Sequence, residues 1–173
     1  SRCCTVSGSW LADRYQAGVS DYGHGPMHTF TVTVRIEAPP AAVWTALADI
    51  GTISEWNPGV IESALTSERA SGVGATRYCD LGGRNYLEES VETWEENRTL
   101  TMRIDRTNLP FAAATIRFAL AEEGDGTVVA VTPEYRLQYG LLGRLLDRIY
   151  VRRSYSKGMR ALARGLKDFV EDA

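Results

Sequence analysis

Residues 87 to 104, LEESVETWEENRTLTMRI, intersperse carboxylates with apolar side chains, and an extended strand sends such neighbours to opposite faces. Leu100, Met102 and Ile104 mark one apolar face. A turn at Glu95 to Arg98 pairs Val91 with Met102 in the simplest register and brings Leu87, Glu89 and Thr93 to that same face. An acid turned towards an apolar interior is driven towards its neutral form and could serve as general acid or base, so Glu89 is the first catalytic candidate. The plainer alternative is a strand residue that is solvated or paired with an arginine.

Carried across a hairpin at Gly82-Gly83, the same alternation places Thr76, Tyr78 and Asp80 on the inner face, with Arg77 and Cys79 outward. Tyr78 would then donate to a ligand carbonyl, and Asp80 would supply a second carboxylate. A slip of one residue in the loop would reverse the whole assignment. Tyr135 shares an apolar face with Val129, Val131 and Leu137 in TVVAVTPEYRL, which makes it a wall candidate.

Other chemistry has less support. His24 and His28 stand apart from any carboxylate at ligand spacing, and the acids of EESVETWEEN diverge on a strand, so no metal site and no Ser/His/Asp triad is expected. Cys3 and Cys4 are adjacent and Cys79 is solitary, which makes neither a disulfide framework nor a CxxC pair; Cys79 reads as a reduced, half-buried thiol. GVGAT at 72 to 76 lacks the helix that a phosphate-binding glycine loop needs, and GDGT at 124 to 127 is a hairpin turn. No motif asks for a cofactor.

The elements that must position these residues follow from period and punctuation. FTVTVRI (30–36) alternates with Phe30, Val32, Val34 and Ile36 on one face, a half-buried strand. Pro39-Pro40 then opens a helix whose apolar side is Ala42, Val43, Trp44, Ala46, Leu47 and Ile50. Gly51 ends it, Thr52 to Trp56 form a second short helix, and Asn57-Pro58 forbids continuation. Strands at about 59–66, 74–81, 86–94, 99–106, 113–121 and 127–138 are separated by turn formers too short for crossovers, so they form an antiparallel meander. From Gly140 the period lengthens: Leu142, Leu145, Leu146, Ile149, Met159, Leu162, Leu166, Phe169 and Val170 predict one amphipathic helix. Its seam Leu145, Ile149, Arg152, Ser156, Met159, Ala163, Leu166 has a polar gap in the middle. Arg152 and Ser156 are therefore its ligand-binding candidates, the alternative being an Arg152 that snorkels outward.

At 173 residues and 44% hydrophobic composition the chain suits one domain with its own core. Residues 1–26, rich in Gly and Ser, read as an extension: artificial, a stretch upstream of the true start, or an arm packing Trp10, Leu11 and Tyr15. The domain itself spans 27–173. A net charge of −3 does not favour nucleic acid as a partner. No apolar run reaches the roughly 18 residues of a membrane span, and the start lacks a signal-peptide pattern, so a cytoplasmic location is expected. Nothing specifies an oligomeric state.

In this order, VRIEAPPAAVWTALADI, SEWNPGV, GVGATRY, LEESVETWEENRTLTMRI, the GDGTVVAVTPEY hairpin and GLLGRLLDRIYVRRSYSKGMRALARGLKDFVE resemble the START/Bet v 1-like (SRPBCC) superfamily, often labelled polyketide cyclase/dehydrase and lipid transport, over about Thr29 to Glu171. The resemblance implies an α+β helix-grip fold: a curved antiparallel sheet of six to seven strands, two short helices after the first strand, and a long C-terminal helix across a ligand tunnel. It also implies that Trp44 packs under the sheet and that the turn carrying Trp56 lies near the tunnel mouth, as fold support or ligand contact.

Fold alone does not choose the chemistry, since such proteins include carriers, sensors, cyclases, hydrolases and cochaperone-like modules. The leading expectation is non-covalent binding of a hydrophobic small molecule (lipid, aromatic or polyketide-like), with Trp56, Met102, Ile104, Tyr135, Arg152, Ser156 and Met159 as contacts. The alternative is a polyketide cyclase/aromatase or dehydratase in which Glu89 or Asp80 moves a proton and Tyr78 or Arg152 polarises a carbonyl. A partner-binding module would instead need a sizeable exposed apolar patch.

Overall fold

A computed structural model of the chain describes residues 26–138 and 152–173. Its sheet has eight strands, one more than the upper expectation, because the first strand is broken in two. β1 (His28–Thr29) and β2 (Val32–Ile36) both run antiparallel to β8 (Gly126–Leu137). The break at Phe30-Thr31 lies opposite Thr132-Pro133, and Pro133 has no N–H to give the ladder.

α1 (Pro40–Ala48) begins as the prolines predict, with the Pro39 carbonyl accepting from the N–H groups of Ala42 and Val43. Val43, Trp44, Ala46 and Leu47 are buried, whereas Ala42 is exposed, contrary to the expectation from periodicity. The second short helix is a 3₁₀-helix over Ile50–Glu55, two residues earlier than predicted, and the Trp56-Asn57-Pro58 turn follows it. Trp44 meets Trp94 edge-on at 5.1 Å, anchoring α1 to the inner face of the sheet.

The remaining strands form the expected meander: β3 (Glu62–Leu65), β4 (Thr76–Gly82), β5 (Asn85–Glu95), β6 (Thr99–Thr107), β7 (Phe111–Glu123) and β8, each antiparallel to the next. Val91 pairs with Met102 as the simplest register requires. Register shifts at Asp80/Gly82, Glu88/Glu89 and Val91/Thr93 are bulges, which bend the strands and sharpen their twist. The shift at Val91/Thr93 puts Trp94, in place of the expected Thr93, against the core.

α2 (Arg152–Glu171) is the C-terminal part of the expected long helix; its predicted beginning, with Leu142, Leu145, Leu146 and Ile149, lies outside the described residues. Met159, Leu162, Ala163 and Leu166 face the core, and the helix packs on β2, α1 and β8. Its far end is tied down by polar contacts: Lys167 Nζ donates to the Arg35 carbonyl at 3.0 Å, and the Glu37 N–H donates to Glu171 Oε1 at 2.7 Å. Arg35 meanwhile bridges Glu37 and Glu123 at the sheet edge.

Two glycines inside α2 stand in opposite environments. A Cβ at Gly165 would collide with the Trp56 carbonyl oxygen and press on Pro58, so glycine alone permits this close approach of helix and turn. Nothing lies within 4 Å of a Cβ at Gly158. Gly165→Ala should therefore lose about 1–3 kcal/mol through overpacking, while Gly158→Ala should gain about 0.5–1 kcal/mol from helix propensity. Urea unfolding of the two variants checks both signs.

Candidate functional site

Between α2 and the concave face of the sheet lies a cavity of about 200 Å³. Its surface is mainly apolar: Leu87, Ile104, Ile116 and Phe118 come from the sheet, Met159 and Leu162 from α2. Four polar residues and one thiol interrupt it, namely Arg77, Glu89, Tyr155, Asn57, whose Oδ1 accepts the Gly59 N–H at 3.0 Å, and Cys79.

Arg77 and Glu89 stand directly opposite each other on β4 and β5, and only 4% and 2% of their surfaces are exposed. Arg77 Nε donates to Glu89 Oε2 at 2.7 Å, and Nη1 donates to the Ile50 carbonyl at 3.1 Å. A buried charge pair survives only when geometry and further hydrogen bonds offset the loss of water; here the start of the 3₁₀-helix supplies that extra acceptor. The Cys79 thiol adds a weak bond to the same Oε2 at 3.7 Å. Burial pushes the thiol up to about 12, with Glu89 reinforcing the shift and Arg77 opposing it, so Cys79 stays protonated and unreactive.

Tyr155 lies in an aromatic cage, edge-on to Tyr135 at 5.1 Å and to Phe30 at 5.8 Å, and tilted on Phe111 at 5.5 Å. Its hydroxyl is buried without a hydrogen-bond partner. Burial first, then the charge of Glu89, raises its pKa, which keeps the phenol protonated and able to donate.

A family model described as polyketide cyclase / dehydrase and lipid transport matches residues 27–167. The chain belongs to this family. Among solved structures, it is similar to a START superfamily protein from Mycobacterium smegmatis, with 18% identity, a TM-score of 0.70, and coverage of 84% of this chain and 98% of that one. It is also similar to a protein from Thermus thermophilus (20% identity, TM-score 0.70, 83% and 97% covered) and to the Zhui aromatase/cyclase from a Streptomyces species (16% identity, TM-score 0.70, 84% and 94% covered). Identities this low carry the helix-grip fold and no more. No curated protein matches the sequence.

In this family member the cavity gathers Glu89, Ile104 and Met159 from among the residues singled out in the sequence. Tyr78 and Asp80 do not reach it. Tyr78 is on the outer face, 38% exposed and stacked on Tyr86, and Asp80 accepts the Gly82 N–H at 2.7 Å. Arg77 and Cys79 point inward instead, the reverse of the expected alternation. The cause is local: the two-residue turn on Gly83-Arg84, both at positive φ, would by itself have kept the expected faces, but the shift between Asp80 and Gly82 inserts one unpaired residue and inverts them.

Arg152 and Ser156 also miss the cavity. Arg152 is exposed, and Ser156 accepts from Arg160 Nη2 at 2.6 Å; both border an outer cleft beside Phe30 and Val32. Met102 is buried opposite Val91 outside the cavity wall, and Tyr135 packs behind Tyr155 and Phe111. Trp56 is buried beside Gly165, lining a separate cleft with Asn57 and Arg164. Its indole N–H has no partner.

Sequence reasoning missed Arg77, Cys79 and Tyr155. For Tyr155 a signal existed: it precedes Met159, Leu162 and Leu166 by four, seven and eleven residues, the spacing of one helix face. For Arg77 the clue was the alternative already open for Glu89, an arginine partner. Among the described residues no three His, Cys, Asp or Glu side chains gather as a metal site, and no helix is long and apolar enough to cross a membrane.

Arg77→Met strands a buried carboxylate and should cost about 3–5 kcal/mol, whereas Arg77→Met with Glu89→Leu should recover most of it. Denaturant midpoints of the single and double variants measure the difference. With Cys3 and Cys4 both replaced by serine, Cys79 should resist an aromatic disulfide reagent at pH 8 and react fully once urea unfolds the chain; fast labelling of the native state would refute its sealed position.

Proposed function

We propose that the protein binds a hydrophobic small molecule, non-covalently, in the cavity between the sheet and α2. The observation that carries this reading is the cavity itself, about 200 Å³ of mainly apolar surface with its two charges already neutralising one another. Each 100 Å² of apolar ligand surface withdrawn from water would contribute about 2.5 kcal/mol. The few polar groups set orientation, which is the usual division of labour in a ligand pocket. Nucleic acid has no place in this reading, and a cofactor is not required by it.

A second reading, cyclisation or dehydration of a polyketide-like chain, is favoured by one specific arrangement: a carboxylate and a guanidinium in the wall of the same enclosed space, in a chain whose family description names that chemistry. Glu89 would move a proton and Arg77 would hold a carbonyl oxygen. Tyr78, Asp80 and Arg152, the partners expected from sequence, are replaced in this role by Arg77 and Tyr155.

Native mass spectrometry of freshly purified protein should detect a bound small molecule that is released by denaturation. With that molecule in hand, Glu89→Gln separates the readings, once circular dichroism has established that the variant is folded with Arg77 unpaired. A binding protein keeps affinity within about threefold and shows no chemical change of the ligand, whereas an enzyme keeps affinity and loses turnover by roughly 10²–10⁴. A binding site outside the cavity would contradict both.

A further inference from the structure

We propose that the cavity selects uncharged, compact ligands that carry one hydrogen-bond acceptor, such as a ketone, ester or ether oxygen, and that the Tyr155 hydroxyl is the donor that reads it. This rests on the reading of the cavity as a ligand site and gives that site its chemical class.

The polar groups of the wall are not equivalent. Arg77 is tied to the wall through Nε on Glu89 and Nη1 on the Ile50 carbonyl, with Nη2 its remaining donor, and Cys79 leans on Glu89. Among the described residues three buried side-chain atoms have no partner, those of Trp56, Arg136 and Tyr155, and of these residues only Tyr155 lines the cavity. Buried polar groups are normally satisfied, so an orphan hydroxyl on a residue of the cavity wall marks where a partner is missing. A hydroxyl can turn its hydrogen towards whichever acceptor arrives.

The ring that carries it is held in place by Tyr135, Phe30 and Phe111, so the donor is positioned before the ligand enters. Burial and the charge of Glu89 keep the phenol protonated, which makes it a donor and not an anion.

Charge selection follows from the ion pair. Glu89 and Arg77 already cancel, so a carboxylate ligand would place a second anion near Glu89 with no second cation among the described residues of the wall to receive it, while an ammonium would meet Arg77 in the same position. Neutral ligands avoid both penalties. Size narrows the class further, since about 200 Å³ lies below the roughly 300–1,000 Å³ of pockets for drug-sized ligands. A two-ring skeleton fits that space; a two-chain lipid does not.

The test uses three probes of one shape, the acetyl, isopropenyl and carboxylate derivatives of naphthalene, titrated into the full chain by calorimetry, with the Met159 methyl resonance reporting entry into the cavity. The acetyl compound should bind about five- to tenfold tighter than the isopropenyl hydrocarbon, the worth of one neutral hydrogen bond, and the carboxylate should bind weakest. Tyr155→Phe removes a single unpartnered oxygen and should fold normally. It should bring the acetyl-to-isopropenyl ratio to about one while leaving hydrocarbon affinity within about twofold. Equal binding of ketone and hydrocarbon by the unmodified protein, or a preference that survives in Tyr155→Phe, overturns the donor assignment and leaves the cavity reading standing. If no probe binds, the cavity reading itself fails and the inference falls with it.

Discussion

The Arg77–Glu89 ion pair is the constraint around which the rest is arranged. Two charges almost sealed from water are tolerated in an apolar interior only if each meets the other with good geometry and the leftover donors find acceptors. That demand fixes β4 against β5 so that the two residues stand opposite, and it brings the start of the 3₁₀-helix close enough for the Ile50 carbonyl to accept from Arg77. One interaction thus joins the hairpin to the helical segment that closes the cavity. It also decides what the cavity wall can be: polar at one place, neutral in sum, apolar elsewhere.

Keeping a void open beside that pair requires the sheet to curve and α2 to be held at its margins. Three register shifts bend β4, β5 and β6. At the C-terminal end α2 is anchored by Lys167 on the Arg35 carbonyl, by Glu171 on the Glu37 N–H, and by the glycine contact of Gly165 with Trp56. Nearer its start, Tyr155 rests against Phe30, Phe111 and Tyr135. Between these supports the side chains of Met159 and Leu162 reach the cavity without filling it. Membership of the polyketide cyclase / dehydrase and lipid transport family accords with such an architecture, while the chemistry of the site depends on the residues that line it.

Much of this was legible in the sequence wherever a period or a punctuating residue acted alone. Alternation located β2 and the meander, the proline pair opened α1, and Val91 pairs with Met102 as the simplest register has it, because the shift at Val91/Thr93 offsets a turn that pairs Glu95 with Thr99. Glu89 faces inward for the same reason. Legibility failed where a single residue changes phase. The shift at Asp80/Gly82 inverted β4, exchanging Tyr78 and Asp80 for Arg77 and Cys79. The shift at Val91/Thr93 exchanged Thr93 for Trp94. On α2, the seam drawn through Arg152 and Ser156 was offset from the face that carries Tyr155, because polar residues drew the line where helix phase did not. A strand has two faces, so one added residue reverses every assignment beyond it; a helix turns by about 100° per residue, and a small phase error swaps wall for solvent.

The most direct measurement of the central claim is a crystal structure determined under xenon pressure, because xenon enters dry apolar cavities and ignores filled cores. A xenon atom bound among Ile116, Phe118, Met159 and Leu162, with Arg77 and Glu89 still paired at the edge of the same space, is the predicted result. Those side chains in mutual contact, with no gas atom between α2 and the sheet, would contradict the account.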